Sequence, residues 1–501
     1  MAERIVVLNL NGQSAGQSAL WIRKAGVFAD LLACPVTLDR IRGRHLSGIL
    51  LTGDAALTKE AFEKALQSVR PIFSLDVPVL AMGSGMELMV AALGGRIGSP
   101  LPAPAGRCTI IFPRHPLFLG LGGGSAVHMW DHAGLHTPPE GFRAIAITEE
   151  CPVAAIGDDE RRLYGLQFPL DGLQSNKGVQ ILVNFLKNIC HLRCNRKTEA
   201  VAEELIGNLR IQAGEHPVVF PLTCRLQDQV AAALAHQAVG DQLTCILTDD
   251  GLCGQTENEA LRSHFQDRLG VRLDFIHIAE PLFDRLEGLV DSDEKWKVYS
   301  DLYQDAFSKA VSDLDLQEPV LLNSDCFEDG SEPTSRVGFP TLPSVPDGFA
   351  NVLSPLSALF HGELEELARC FRIPEDLLAL DRTAGLQRTQ AMAGTVHREK
   401  IILLHQCERI LREAWTTVFP KKESIPLCIE LLERMPAPAN GACKREYFLV
   451  LKESPSPIPE KSGQADPPPV ALLQMISRRV GAELPAISRV LWDFTTKTPN
   501  R

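Results

Sequence analysis

Short runs of apolar, often β-branched residues alternate with helix-length segments through the first 190 positions. Ile5–Leu8, Gly48–Leu51, Val77–Ala81, Cys108–Phe112, Phe142–Ile147 and Leu163–Phe168 read as strands, and the alternation predicts a mainly parallel sheet covered by helices. The segment Lys197–Gln212 then places Val201, Leu205, Ile206 and Leu209 at helical spacing after the polar stretch His191–Lys197, so a domain boundary is expected there. A second doubly wound pattern begins at Val218–Phe220. It continues through a helix at Gln227–Val239 and strands at Leu243–Thr248 and Arg272–Ile278. Residues 328–348, rich in Pro, Gly and Ser and without periodicity, read as a long loop. From about residue 384 the pattern turns α+β: a helix at Arg398–Val418, a strand at Tyr447–Leu451, a Pro-rich break at Ser454–Pro469, a helix at Val470–Glu483 and a last strand at Ile487–Phe494.

Length and charge narrow the function classes. The 501 residues correspond to about three domains of roughly 150 residues, each long enough to bury a core. With 62 acidic against 50 basic residues the formal charge is −12, which argues against nucleic acid or an anionic membrane as partner. The 13 cysteines include no CxxC pair and read as reduced thiols of a cytoplasmic protein. The chain opens directly into a strand at Ile5, without a signal-peptide pattern, and no apolar run reaches 18 residues.

Several strings, taken in order, resemble those of the GMP synthetase family. Pro78 to Leu88 with Gly94-Gly95 is similar to that family's strand, elbow and helix, and Tyr164-Gly165-Leu166-Gln167-Phe168 to the approach to its catalytic His. Gly240 to Cys245, Thr248 to Leu252, Asp291 to Lys295 and Ile487 to Lys497 resemble later family strings in the same order. The resemblance covers nearly the whole chain. It implies a class I glutamine amidotransferase-like domain over 1–192, an ATP pyrophosphatase-like domain of the adenine-nucleotide alpha-hydrolase type over 193–383, and a C-terminal α+β dimerisation domain over 384–501. A homodimer is expected to form through this last part, whose closing residues Val490, Leu491, Trp492 and Phe494 would otherwise stay partly exposed.

The mismatches fall on the residues that chemistry needs. A glutaminase requires a thiolate at the elbow, a His to activate it and a carboxylate to orient that His. The family's Cys corresponds to Gly83, its His to Pro169, and only the acidic Asp171 remains of the string that follows. Its oxyanion-forming Gly-Gly-Pro corresponds to Gly53-Asp54-Ala55, which sets a carboxylate where negative charge should be stabilised. Ser84 does not replace the nucleophile, because the GxSxG elbow needs glycines where Met82 and Met86 stand; Gly83-Ser84-Gly85 reads as a turn kept for its backbone.

The second site shows the same erosion. The family's glycine-rich pyrophosphate loop corresponds to Thr223-Cys224-Arg225-Leu226-Gln227-Asp228-Gln229, so that Cys224 and Arg225 fill the cradle. Arg225 reads either as a new phosphate anchor or as a side chain paired locally with Asp228. Asp249 is either a remnant of the adenosine contact or an ordinary helix cap. Lys497 matches the family's substrate lysine. The nucleotide-acceptor strings correspond to Asn323–Glu328 and Asp381–Leu386, both altered. Cys190, His191 and Cys194 lack the second ligand pair of a metal site, and His128 with His132, although at i, i+4 spacing, lie in a string that resembles a family strand and loop and read as non-metal residues. The expectation is a GMP-synthetase-like pseudoenzyme that needs no cofactor and acts by binding an unidentified protein or small molecule. The alternative is an active ligase that aminates XMP using ATP and Mg²⁺, with ammonia or glutamine as nitrogen source and rebuilt site residues.

Overall fold

The structure is a computed structural model describing residues 3–12, 14–42, 46–98, 107–121, 124–128, 135–148, 153–170, 177–252, 255–326, 348–378, 380, 394–419, 427–434, 445–453 and 468–493. It divides into two compact units. The first runs to Val201 and takes in Ala358–Gly362; the second holds Ala202–Cys326, residues 348–357 and those from Glu363 onward.

In the first unit a nine-stranded sheet has the order Phe28–Ala33, Arg4–Asn9, Leu46–Gly53, Val79–Gly83, Leu163–Leu166, Ala155–Asp158, Arg143–Thr148, Arg107–Ile111 and Gly124–His128. The first five are parallel, and the remaining pairings are antiparallel. The sheet is therefore mixed rather than mainly parallel. Helices Ser14–Lys24 and Lys59–Val69 supply crossovers in the first half, whereas Ala155–Asp158 and Leu163–Leu166 are joined by a tight hairpin that needs no helix. Phe28–Ala33 escapes the sequence reading because FADLLA contains no β-branched residue. Both faces of the central strands are apolar, as burial between two helical layers demands. Ile5, Val7, Leu50 and Leu80 meet Ala15, Ala19, Ile181 and Leu182 on one side. Val6, Leu8, Ile49 and Val79 meet Ala65, Val69, Leu88 and Met89 on the other.

The second unit contains a five-stranded sheet, all parallel, ordered Arg272–His277, Leu243–Asp249, Val218–Leu222, Val320–Leu322 and Asn351–Leu353. The chain first winds outward from Val218–Leu222 and then returns to its other side. The topological switch point, where such sheets place ligands, lies between Val218–Leu222 and Val320–Leu322. A three-stranded sheet of Leu427–Arg434, Glu446–Glu453 and Ile487–Trp492 is accompanied by helices Arg398–Val418 and Val470–Glu483. Its core is continuous with that of the earlier part: Tyr299, Tyr303 and Phe307 belong to the same cluster as Leu404, Leu411, Tyr447 and Leu472.

The last strand alternates. Val490 and Trp492 pack on this core but are only partly buried, and Leu491, 39% exposed, faces outward, so all three are partly uncovered in the single chain as expected; Phe494 lies outside the described residues.

Candidate functional site

Three strand ends of the first unit's sheet assemble the first site. Gly83 closes the strand Val79–Gly83 and leads into the helix Ser84–Ala92 with φ 55° and ψ −128°, a conformation strained for any residue with a Cβ. This is the geometry of a nucleophile elbow, and glycine occupies it without strain and without a reacting group. Leu166 pairs with Met82 on the neighbouring parallel strand, so Gln167, Phe168 and Pro169 leave the sheet at the same edge as Gly83. Pro169 therefore stands where a base would have to reach the elbow, and its ring neither accepts nor relays a proton. Asp171 lies outside the described residues.

Gly53 pairs with Gly83 across the sheet and is followed by Asp54. The Asp54 carboxylate accepts a hydrogen bond from the Ser14 backbone N–H at 2.9 Å and another from the Ser14 hydroxyl. Its own N–H donates to the Asn11 carbonyl at 2.9 Å. A fixed carboxylate thus occupies the loop beside the elbow. Ser84 is wholly buried, and its Oγ has no hydrogen-bond partner among the described residues.

The second site lies at the switch point of the five-stranded sheet. Thr223 and Cys224 follow the strand Val218–Leu222, Arg225 is the N-cap residue of the helix Leu226–Val239, and Asp228 and Gln229 lie in its first turn. Asp228 receives Arg225 in a two-point ion pair, from Nε at 3.0 Å and from a terminal nitrogen at 2.8 Å. The hydroxyls of Thr223 and Ser324 also donate to the same carboxylate. Cys224 is buried, and Gln229 ties the loop down by donating from Nε2 to the Cys224 carbonyl at 2.7 Å and to the Leu377 carbonyl at 3.0 Å. Leu226 is buried, while Gln227 is half-buried beside it. An ATP phosphate would meet a carboxylate at this helix N-terminus, and Arg225 is already engaged by it. The residues present do not fit a triphosphate with Mg²⁺.

Asp249 does not cap a helix. It ends the strand Leu243–Asp249, accepts from the Gly251 N–H at 3.3 Å and lies 3.3 Å from His277 Nδ1. Asn323 donates from Nδ2 to Asp325 at 2.5 Å. Lys497, Asp381–Leu386 and His132 lie outside the described residues, as does the side chain of His128. Burial raises the thiol pKa of Cys190 and of Cys194, and no cluster of metal-ligating residues occurs among the described residues.

One grouping escaped the sequence reading. Lys295 and Lys400 are buried, and donate from Nζ to the successive carbonyls of Gly394 and Thr395, the latter at 3.0 Å. Burial lowers the pKa of each ammonium, and the charge of Lys295 lowers that of Lys400 further. The signal available was phase: Lys400 shares the helical stripe of Leu404, Cys407 and Leu411, where a core residue belongs.

The family model for class-I glutamine amidotransferases matches residues 19–189. The chain is 30% identical to the glutamine-hydrolysing GMP synthase of Symbiobacterium thermophilum, over 99% of this chain and 98% of that one. It is 28% identical to the GMP synthase of Acetivibrio thermocellus, again over 99% and 98%. Against that of Carboxydothermus hydrogenoformans the figure is 29%, over 100% and 99%.

Proposed function

Because the chain belongs to the GMP synthase family along its whole length, we propose that it keeps that family's three-part plan while acting by binding rather than by catalysis. Residues 1–192 then form the amidotransferase-like part, 193–383 the ATP pyrophosphatase-like part and 384–501 the dimerisation part. The observation that carries the reading is Gly83: the elbow keeps the backbone of a nucleophile site, with φ 55°, and has no nucleophile. The protein is a cytoplasmic pseudoenzyme whose partner is a protein or a small molecule. No helix among the described residues is long and apolar enough to cross a membrane.

The second reading, an ammonia-using ligase, requires a place for pyrophosphate. Calorimetric titration of the full chain with ATP and Mg²⁺ separates the two. No saturable heat is expected at millimolar nucleotide, because the Arg225–Asp228 pair occupies the cradle. A saturable heat that Arg225→Glu removes would favour the ligase.

The dimer reading rests on the outer face of the three-stranded sheet, where Leu432 and Leu491 are exposed and Leu432 pairs with Phe448. A second copy of the same face is its occupant. Light scattering at tens of micromolar is expected to give twice the chain mass, falling to one chain in Leu491→Arg. A monomeric mass for the unmodified protein would sink the dimer.

A further inference from the structure

The Asp228 carboxylate, 1% exposed, is coordinated in the way a bound anion is. Oδ1 accepts from a terminal nitrogen of Arg225 at 2.8 Å and from the Ser324 hydroxyl. Oδ2 accepts from Arg225 Nε at 3.0 Å and from the Thr223 hydroxyl. The direction of the Thr223 proton is fixed, because Thr223 Oγ1 itself accepts the Arg225 backbone N–H at 3.2 Å and has its own hydrogen left for the carboxylate. These donors come from three places in the chain. Thr223 leaves the strand Val218–Leu222, Arg225 stands at the start of the helix Leu226–Val239, and Ser324 follows the strand Val320–Leu322, 96 positions from Asp228. An ion pair at i, i+3 spacing needs only the first turn of a helix; it does not need hydroxyls from both sides of a switch point.

A guanidinium offering two parallel N–H groups, two hydroxyls and the N-terminus of a 14-residue helix together suit a small oxyanion. We propose that this is an oxyanion site whose ligand is built into the chain: the Asp228 carboxylate fills it and shuts out free anions, an autoinhibitory contact. Tethering decides the competition, since the side chain is always within reach of its donors while a free anion has to be taken from solution. The proposal deepens the pseudoenzyme reading and rests on it, for it names what closes the eroded phosphate loop. The space concerned is that of the carboxylate itself. Shortening Asp228 to Ala vacates the volume of one carboxylate group beside Arg225, Thr223 and Ser324, and formate has that size, that charge and the same two acceptor oxygens.

Urea denaturation of the full chain at fixed ionic strength compares sodium chloride with sodium formate. The unmodified protein, Asp228→Ala, Asp228→Asn and Asp228→Ala combined with Arg225→Leu are measured side by side, and the shift of the unmodified protein between the two salts sets the general salt effect. Beyond that shift, formate is expected to raise the midpoint of Asp228→Ala saturably and to recover about half or more of what the substitution removes, as a ligand of the native state does. Asp228→Asn keeps the space filled and is expected to show no extra response. Adding Arg225→Leu to Asp228→Ala removes the guanidinium and is expected to abolish the response. A shift of Asp228→Ala no larger than that of the unmodified protein makes the pair structural only and overturns the proposal. An extra response in Asp228→Asn, or one that survives Arg225→Leu, puts the anion elsewhere and also overturns it. Where Asp228→Ala does not fold in chloride, dilution from urea into formate is the readout: native circular dichroism regained in formate but not in chloride supports the proposal, and failure in both overturns it. No nucleotide is present, so ATP binding by the unmodified chain, which would sink the pseudoenzyme reading, is a separate result.

Discussion

Glutamine incubated with the purified protein is expected to release no ammonia above a heat-inactivated control, and Gly83→Cys alone is expected to leave that result unchanged. The elbow geometry is present, so a cysteine there would point its thiol where a nucleophile belongs. A thiol reacts as its thiolate, however, and needs a base to take the proton and later return it. Pro169 stands at the adjoining strand end and supplies none, while Asp54 adds negative charge where the intermediate would develop it. Members of a catalytic triad act as a unit: losing the nucleophile or the base alone costs about as much as losing all three, on the order of 10⁶-fold in kcat. Restoring one member therefore recovers nothing measurable. The same variant carries a Cβ into a conformation that disfavours it, at about 1–3 kcal/mol, so its unfolding midpoint is expected to fall. Ammonia released by the unmodified chain and abolished by Ser84→Ala would overturn this, and would make the serine the nucleophile.

The second large effect is expected in stability. Asp228→Ala removes a carboxylate whose side chain is 1% exposed while the Arg225 guanidinium, 17% exposed, stays behind. The hydroxyls of Thr223 and Ser324 lose their acceptor in the same step. Breaking a buried pair from one side costs about 3–5 kcal/mol, because the surviving charge has been withdrawn from water without compensation. Replacing both residues by leucine is expected to return most of that loss, since an apolar pair carries no desolvation penalty. Urea denaturation of the full chain reads both variants. A loss below about 1 kcal/mol for Asp228→Ala would mean that the pair behaves as a surface ion pair and that Arg225 remains available to a phosphate.

The sequence made most of the architecture legible, and the reason differs between elements. Helices Arg398–Val418 and Val470–Glu483 have the ends that periodicity assigned, because each carries an apolar stripe against one core. Gly83 and Pro169 could be read without coordinates, because neither residue type carries a nucleophile or a base whatever surrounds it. What the sequence left open was pairing. Arg225 and Asp228 are three residues apart across a helix start, a spacing that serves either a phosphate anchor or an internal ion pair, and only the orientation of the guanidinium decides between them. Asn11 and Ser84 are 73 positions apart and meet only because Gly53 pairs with Gly83 in the sheet. Lys295 and Lys400 are brought together by two helices and a carbonyl pair, and neither lysine announces burial by itself.

The backbone at Gly83 bears on how the chain could change over time. In a nucleophile elbow the reacting residue holds a conformation it would not choose, and the surrounding sheet and helix bear that strain. Glycine at this position relieves it, so replacing the nucleophile by glycine would itself have been favourable for folding. The reverse step would restore the strain and, with proline at 169, return no activity to offset it. Selection on stability alone would then keep the position as glycine, and for the pseudoenzyme proposed here the absence of hydrolysis would work as a ratchet: easy to enter, held by the fold, and reversible only through several simultaneous changes, none of which is advantageous alone.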